Sequence, residues 1–92
     1  MVPWPMSITV ELFGIPRQRA GVAKTEAQGS RLDEALLDLA RRFPRLADEC
    51  IADGRLQSGT MANLNGQRFV ADPATVLKPG DSLLILSADA GG

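Results

Sequence analysis

Residues 30–44 read SRLDEALLDLARRFP and contain the strongest structural signal in the chain. Apolar side chains recur in this stretch with the spacing of one face of an α-helix. They are Leu32, Ala35, Leu36, Leu39, Ala40 and Phe43. Ser30 is a good N-cap residue, Asp33 follows three residues later as in a capping box, and Pro44 cannot continue a helix. We therefore predict one long amphipathic helix that covers the core.

Two strand patterns precede this helix. Residues 6–13 alternate between apolar and polar side chains, which is the period-2 signature of a half-buried strand. Its apolar face consists of Met6, Ile8, Val10 and Leu12. Gly14 and Pro16 interrupt the alternation, and residues 17–21 are predicted as a loop. Residues 22–28 alternate weakly, so we predict that they return as a second strand.

The segment that follows Pro44 has weaker signals. Residues 46–51 are predicted to form a short second helix, which Gly54 ends. Residues 56–60 are predicted as an irregular connection. Cys50 lies in the short helix and is predicted to be a small buried side chain rather than a nucleophile.

The C-terminal third contains a hairpin and a buried strand. Asn65-Gly66, between strands at residues 61–64 and 67–70, is typical of a type I′ turn. Residues 78–81, Lys-Pro-Gly-Asp, place Pro and Gly where a type II turn needs them. Residues 82–86 form a nearly continuous apolar run, which predicts a largely buried strand.

These elements define an α+β domain. One long helix must cover one face of a mixed sheet, which gives two layers. The first and last strands are both strongly apolar, so we expect them side by side in the centre, with the hairpins at the edges. That arrangement is the β-grasp, or ubiquitin-like, topology. We expect residues 1–6 to be a flexible leader, residues 7–86 the domain, and residues 87–92 a flexible C-terminal tail.

Composition excludes several classes of function. The 92 residues carry a net charge of −1, without the basic excess typical of nucleic-acid-binding proteins. The sequence has no His and one Cys, which excludes Ser-His and Cys-His nucleophile pairs, His-ligated metals and an internal disulfide. No apolar stretch approaches the roughly 20 residues of a membrane span. We expect a cytoplasmic protein that binds neither nucleic acid nor membranes.

Five groups of residues share their order and spacing with one known family. They are Val10-Glu11-Leu12-Phe13-Gly14 with Arg19-Ala20-Gly21, Leu32-Asp33-Glu34-Ala35-Leu36 with Leu39 and Phe43-Pro44, Asn65-Gly66, Leu77-Lys78-Pro79-Gly80-Asp81-Ser82-Leu83, and Gly91-Gly92. Through these groups the sequence resembles the ThiS/MoaD family of prokaryotic sulfur-carrier proteins, from about residue 7 to residue 92.

The resemblance implies a carrier protein rather than an enzyme. An ATP-dependent, E1-like adenylyltransferase would adenylate the carboxylate of Gly92, which is then converted to a thiocarboxylate. Ala90 and Gly91 would enter the partners' active sites with it. A sulfur-accepting synthase, of the molybdopterin synthase large-subunit type or the thiazole synthase type, would then take the sulfur. The partner uses the ATP, so no cofactor or metal is expected to stay bound to the carrier.

Two other functions stay open at this point. In ubiquitin-like modifiers the activated terminus forms an isopeptide bond to lysines, and a β-grasp domain can also serve as an interaction module without activation. From Ser87 the tail reaches about 20 Å when extended, far enough to enter another protein's active site. Its sequence, SADAGG, lacks the proline common in molybdopterin-synthase small subunits, so the pathway is left open.

Overall fold

The computed structural model describes residues 7–88. The predictions for the leader, including Met6, and for residues 89–92 lie outside this described part of the chain. The elements are, in chain order, β1 (Ser7–Phe13), α1 (Ile15–Ala20), β2 (Lys24–Gln28), α2 (Leu32–Arg42), α3 (Pro44–Cys50), β3 (Ile51–Ala52), β4 (Arg55–Leu56), β5 (Thr60–Leu64), β6 (Arg68–Val70) and β7 (Ser82–Ser87).

Five strands form one mixed sheet in the order β2-β1-β7-β5-β6. The first and last strands are parallel neighbours at its centre, where Val10 lies opposite Leu83. The other pairings in this sheet are antiparallel. The predicted α+β class and β-grasp topology are therefore confirmed, including the central place of β1 and β7.

The predicted apolar stripe of α2 forms the helical side of the core. Leu32, Ala35, Leu36 and Leu39 are fully buried, in one cluster with the inward-facing residues of the sheet. Burying a Leu side chain stabilises a fold by about 1.5–3 kcal/mol, so this stripe is the main link between helix and sheet. Phe43 is partly buried and packs against the same cluster.

The prediction of a loop at residues 17–21 is wrong, because Ile15–Ala20 form α1. Pro16 lies in the first turn, where a helix does not need its N–H. Gly21 ends the helix at φ 80, and its N–H donates to the carbonyl of Arg17 at 2.9 Å. Six residues are too few to show a helical periodicity in the sequence.

The segment after α2 also differs from the prediction. α3 begins at Pro44 rather than at residue 46. Ile51–Ala52 and Arg55–Leu56 pair as an antiparallel hairpin, so the connection predicted from residue 56 begins inside a strand. The turn of this hairpin is Asp53-Gly54, and both residues have positive φ, at 54° and 75°. That dipeptide is a known type I′ signal, but two-residue strands leave no alternation beside it.

The start of α2 is not the predicted capping box. Arg31 is the N-cap residue and makes no side-chain capping hydrogen bond. The Glu34 carboxylate instead accepts hydrogen bonds from the backbone N–H of Ser30 at 2.7 Å and from its hydroxyl at 3.0 Å. Glu34 thus takes the role that the sequence assigned to Asp33. β2, the strand before α2, is also shorter than predicted, since it begins at Lys24 rather than at residue 22.

Both turns predicted in the C-terminal third are confirmed. Asn65 and Gly66 have φ of 58° and 69°, as a type I′ hairpin requires. Gly80 has φ 89°, and the N–H of Asp81 donates to the carbonyl of Lys78 at 3.0 Å. β7 then continues to Ser87, one residue beyond the predicted strand. None of the helices among the described residues combines the length and apolar character needed to cross a membrane.

Candidate functional site

The C-terminal end of β7 is the described region that leads to the predicted reactive terminus. Ser87 lies opposite Thr60 in β5 and is 5% exposed. The N–H of Ala88 donates to the carbonyl of Gly59 at 2.6 Å. The tail predicted from residue 87 therefore has its first residue inside the sheet. The predicted site residues Ala90, Gly91 and Gly92 lie outside the described part of the chain.

Apolar side chains surround this end of β7 on the sheet face opposite α2, which we call the open face. Phe13, Leu86 and Met61 lie opposite one another on three adjacent strands. Phe69, on β6, lies opposite Asn63, which in turn lies opposite Leu84. Phe13 and Phe69 are more than half exposed, at 55% and 59%. We call the set Phe13, Met61, Phe69, Leu84 and Leu86 the apolar patch.

The patch follows from strand alternation. Leu83 and Ile85 are fully buried against the helices, so Leu84 and Leu86 point to the open face and are half-buried. The apolar run predicted as a largely buried strand is thus buried on one face only. A continuous apolar run gives no sign of which of its side chains reach the surface.

The other half of the open face is polar. Glu11 lies opposite Lys24, and Thr9 lies opposite Glu26, on the β1–β2 pair. These positions alternate with the buried side chains of β1, so they share the open face with the apolar patch. An apolar centre beside a charged margin is the usual anatomy of a protein–protein interface.

A small cavity lies behind the end of β7, on the helix side. Its volume is about 190 Å³, and its lining consists of Ile15, Glu49, Cys50, Ser58, Gly59, Thr60 and Ser87. Cys50 is buried as predicted, and burial raises the pKa of its thiol above the ordinary value of 9.0. A thiol that stays protonated at neutral pH is a poor nucleophile. Within residues 7–88, no group of three or more His, Cys, Asp or Glu side chains is placed to hold a metal.

The loop that meets the end of β7 is held by Gln57, a residue that sequence analysis did not single out. The two N–H groups of its side-chain amide are shared among the carbonyls of Ala47, Asp48 and Ile51, each 3.1–3.2 Å from Nε2. Its backbone N–H donates to the carbonyl of Cys50 at 2.9 Å. Gln57 therefore fixes the loop to the end of α3. No local pattern indicates this role, because the four acceptors lie on α3 and at the first residue of β3.

The fold and the open face define this protein as a ubiquitin-like β-grasp protein with an apolar surface beside the C-terminal end of β7. The ThiS family model matches residues 10–92, and the chain belongs to that family. The ThiS/MoaD resemblance read from the sequence is thereby confirmed, and with it a ubiquitin-like sulfur carrier or modifier fold. A comparison with curated proteins finds none that matches.

Solved structures show the same fold. A chain in the crystal structure of the Amycolatopsis orientalis BexX/CysO complex is 27% identical with a TM-score of 0.76, over 92% of this chain and 99% of that one. Mycobacterium tuberculosis CysO is 25% identical with a TM-score of 0.74, over 88% of this chain and 98% of that one. SAMP1 from Haloferax volcanii has a TM-score of 0.77 over 94% of this chain and 99% of that one. At 23% identity, the last likeness shows the fold alone.

Proposed function

We propose that this protein is a sulfur carrier whose Gly92 carboxylate is adenylated by an E1-like enzyme and converted to a thiocarboxylate. The observation that carries the proposal is the family match, which continues through β7 to residue 92 and so includes Gly91-Gly92. The carrier acts as a substrate and partner of other enzymes.

The proposed chemistry explains why the reacting residue is a terminal glycine. A carboxylate is a poor electrophile, and adenylation supplies a leaving group: a carboxylate oxygen bonds to the α-phosphorus of ATP, and pyrophosphate leaves. The terminal sulfur of a persulfide then attacks the acyl carbon and AMP leaves. A thiol cleaves the resulting acyl disulfide, which releases the thiocarboxylate and leaves the other sulfur in a disulfide with that thiol. Gly91 and Gly92 have no Cβ, so a narrow channel in the partner can close around their backbone. The ATP belongs to the partner's site, and the carrier keeps no bound cofactor.

Docking of the folded body has to offset the cost of ordering the tail. Each residue that becomes fixed in the partner's channel costs roughly 1–2 kcal/mol of conformational entropy. The apolar patch supports the proposal because it offers contact area next to the residue from which the tail leaves. Fully burying a side chain such as Phe13 contributes about 1.5–3 kcal/mol. We therefore assign the patch to docking of the E1-like partner.

A second enzyme must take the sulfur. We propose that this acceptor is a synthase of the molybdopterin synthase large-subunit type or the thiazole synthase type. It would receive the same Gly92 carboxylate, so it would bind after the E1-like enzyme has left the apolar patch. The margin of the patch carries both signs of charge, Glu11 and Glu26 beside Lys24, which favours partners whose rims carry the complementary arrangement of charges.

The experiment that tests the proposal is ATP–pyrophosphate exchange with the E1-like enzyme of the same organism. The parent protein is expected to support exchange. Deleting Gly92 moves the carboxylate by about 3.3–3.6 Å, and appending Ala converts the Gly92 carboxylate into an amide. Both variants should lose exchange, because misplacement by about 1 Å already costs on the order of 100-fold in an aligned reaction.

Thermal unfolding of the same three proteins is the control, and the midpoint should not change. Full exchange by either variant would overturn the mechanism. Mass spectrometry of the protein from its native host then separates the products. Replacement of one oxygen by sulfur on the terminal peptide supports the carrier function. A lysine adduct would indicate a modifier, and an unmodified terminus would indicate an interaction module.

A further inference from the structure

The two strands that flank β7 stop pairing with it at different residues. The parallel ladder with β1 ends at Phe13 and Leu86. The antiparallel ladder with β5 ends one residue later, at Thr60 and Ser87. The hydrogen bond from the N–H of Ala88 to the carbonyl of Gly59, at 2.6 Å, extends this second ladder by one step. Ala88 is the last residue of the part of the chain that the structure describes.

The acceptor of this bond belongs to a braced loop. Gln57 ties the loop to α3 and to the first residue of β3, as described above. The N–H of Thr60 closes the loop by donating to the carbonyl of Gln57 at 3.0 Å. The carbonyl of Gly59 is therefore held in a fixed position relative to the core.

We propose that the hydrogen bond between Ala88 and Gly59 is a positioning device for the adenylation reaction. The inference rests on the proposed function. The bond fixes Ala88 to the sheet, so residues 89–92 are the span of chain that connects this fixed point to the Gly92 carboxylate. Four residues span at most about 13–14 Å from the anchor, which sets the greatest depth at which the partner's active site can lie.

The anchor also connects the tail to the apolar patch. Ala88 is exposed and, by strand alternation, lies on the same face as Leu86. A partner docked on Leu86 and Phe13 therefore meets the tail at a defined starting point. Releasing Ala88 adds one residue whose backbone must be ordered on binding. At the usual conformational-entropy cost of ordering one residue, releasing Ala88 raises the KM for the carrier about 5- to 30-fold.

The test compares Ala88→Pro with Ala88→Val in the exchange assay. Proline removes the N–H donor, and it is compatible with an extended residue before it, which Ser87 is. Valine changes the side chain and keeps the donor. We expect Ala88→Pro to raise KM about 5- to 30-fold with kcat near the parent value, since the bound carboxylate occupies the same place. Ala88→Val keeps the donor and should therefore raise KM less than Ala88→Pro does, and equal KM values for the two variants would overturn the anchor.

Amide hydrogen exchange measured by NMR on the isolated protein tests the anchor without the partner. The Ala88 amide should exchange more slowly than an unprotected amide of the same sequence. An Ala88 amide that exchanges at the unprotected rate overturns the inference, whatever the kinetics show.

The outcomes separate the inference from the proposed function. An unchanged KM for Ala88→Pro, with exchange still lost on deletion of Gly92, overturns the anchor and leaves the carrier function standing. A parent protein that supports no exchange overturns the carrier function together with the positioning role that rests on it.

Discussion

Phe13 on β1 and Leu86 on β7 lie opposite each other in the central parallel pair, and both face away from α2. They come from the first and last strands, so only the folded sheet brings them together. Their shared position is one residue before Ser87, the last residue of β7 paired with β5. The apolar patch thus lies beside the C-terminal end of β7.

Replacing Phe13 by Ala should weaken docking of the E1-like partner. Truncating a central aromatic side chain of an interface typically costs more than 1 kcal/mol, which is about 5-fold or more in affinity. The effect should show as a higher KM for the carrier in pyrophosphate exchange. Leu37→Ala is the matched control, because Leu37 is also about half exposed, at 49%, but lies on α2. Equal KM values for the two variants would contradict the assignment of the patch.

Leu36→Ala should destabilise the fold by about 2–5 kcal/mol, because Leu36 is fully buried in the middle of the α2 stripe. That is a large part of the roughly 5–14 kcal/mol expected for a domain of this size. Urea unfolding of Leu36→Ala and Leu37→Ala compares the stability lost at a buried leucine with the stability lost at the adjacent exposed one. Similar midpoints would mean that the helix buries a different face.

Gly66→Val should destabilise the hairpin, because Gly66 has φ 69° and a β-branched residue is strained there. The expected cost is about 1–3 kcal/mol. A Cβ at this position meets nothing within 4 Å, so the cost is conformational and not steric. Gly66→Asn is the control, since Asn tolerates this conformation and should retain most of the stability. Equal losses in thermal unfolding would argue against strain as the cause.

Gly29→Ala should cost more than Gly80→Ala. Both positions have positive φ, at 152° and 89°. A Cβ on Gly29 would lie 2.7 Å from the Cβ of Glu34 and 2.8 Å from the backbone nitrogen of Ala35, whereas Gly80 faces open space. Forcing α2 away from this contact should add about 1–3 kcal/mol to the loss of folding stability in Gly29→Ala. Chemical denaturation of both variants gives the comparison, and a smaller loss at Gly29 would refute it.

Asp81 should make stability depend on acid pH. The backbone N–H of Lys78, at 2.9 Å, and the side-chain amide of Asn65, at 3.1 Å, hold the pKa of Asp81 below its ordinary value of 3.8. Because the pKa is lower in the folded state, this stabilisation is fully present above the unfolded-state pKa and is lost as the pH falls through the folded-state pKa.

Asp81→Asn isolates this contribution. The variant should be less stable than the parent at pH 7, and the difference should shrink as the pH falls below about 3.8. Unfolding measured across the acid range provides the check. A difference that stays constant over this range would show that the carboxylate charge contributes nothing.

The sequence alone predicted the elements whose signals are local. The alternation before Phe13, the apolar stripe around Leu36 and the turn chemistry of Asn65-Gly66 each lie within a few residues, because side-chain periodicity and backbone preference act over one or two turns of chain. Two strongly apolar strands at the ends of the chain were then enough to place β1 and β7 at the centre. The ThiS/MoaD resemblance added the family, which is confirmed.

Tertiary structure decided the features that depend on contacts between distant segments. α1 and the β3–β4 hairpin are too short to show periodicity, and they are stabilised mainly by packing against the rest of the fold. Glu34 rather than Asp33 binds Ser30, because the path of the chain into α2 brings the Glu34 carboxylate within hydrogen-bond distance of the Ser30 N–H. The exposed side of β7, and the pairing of Leu86 with Phe13, follow from the register between two strands, and neither strand specifies that register without the other.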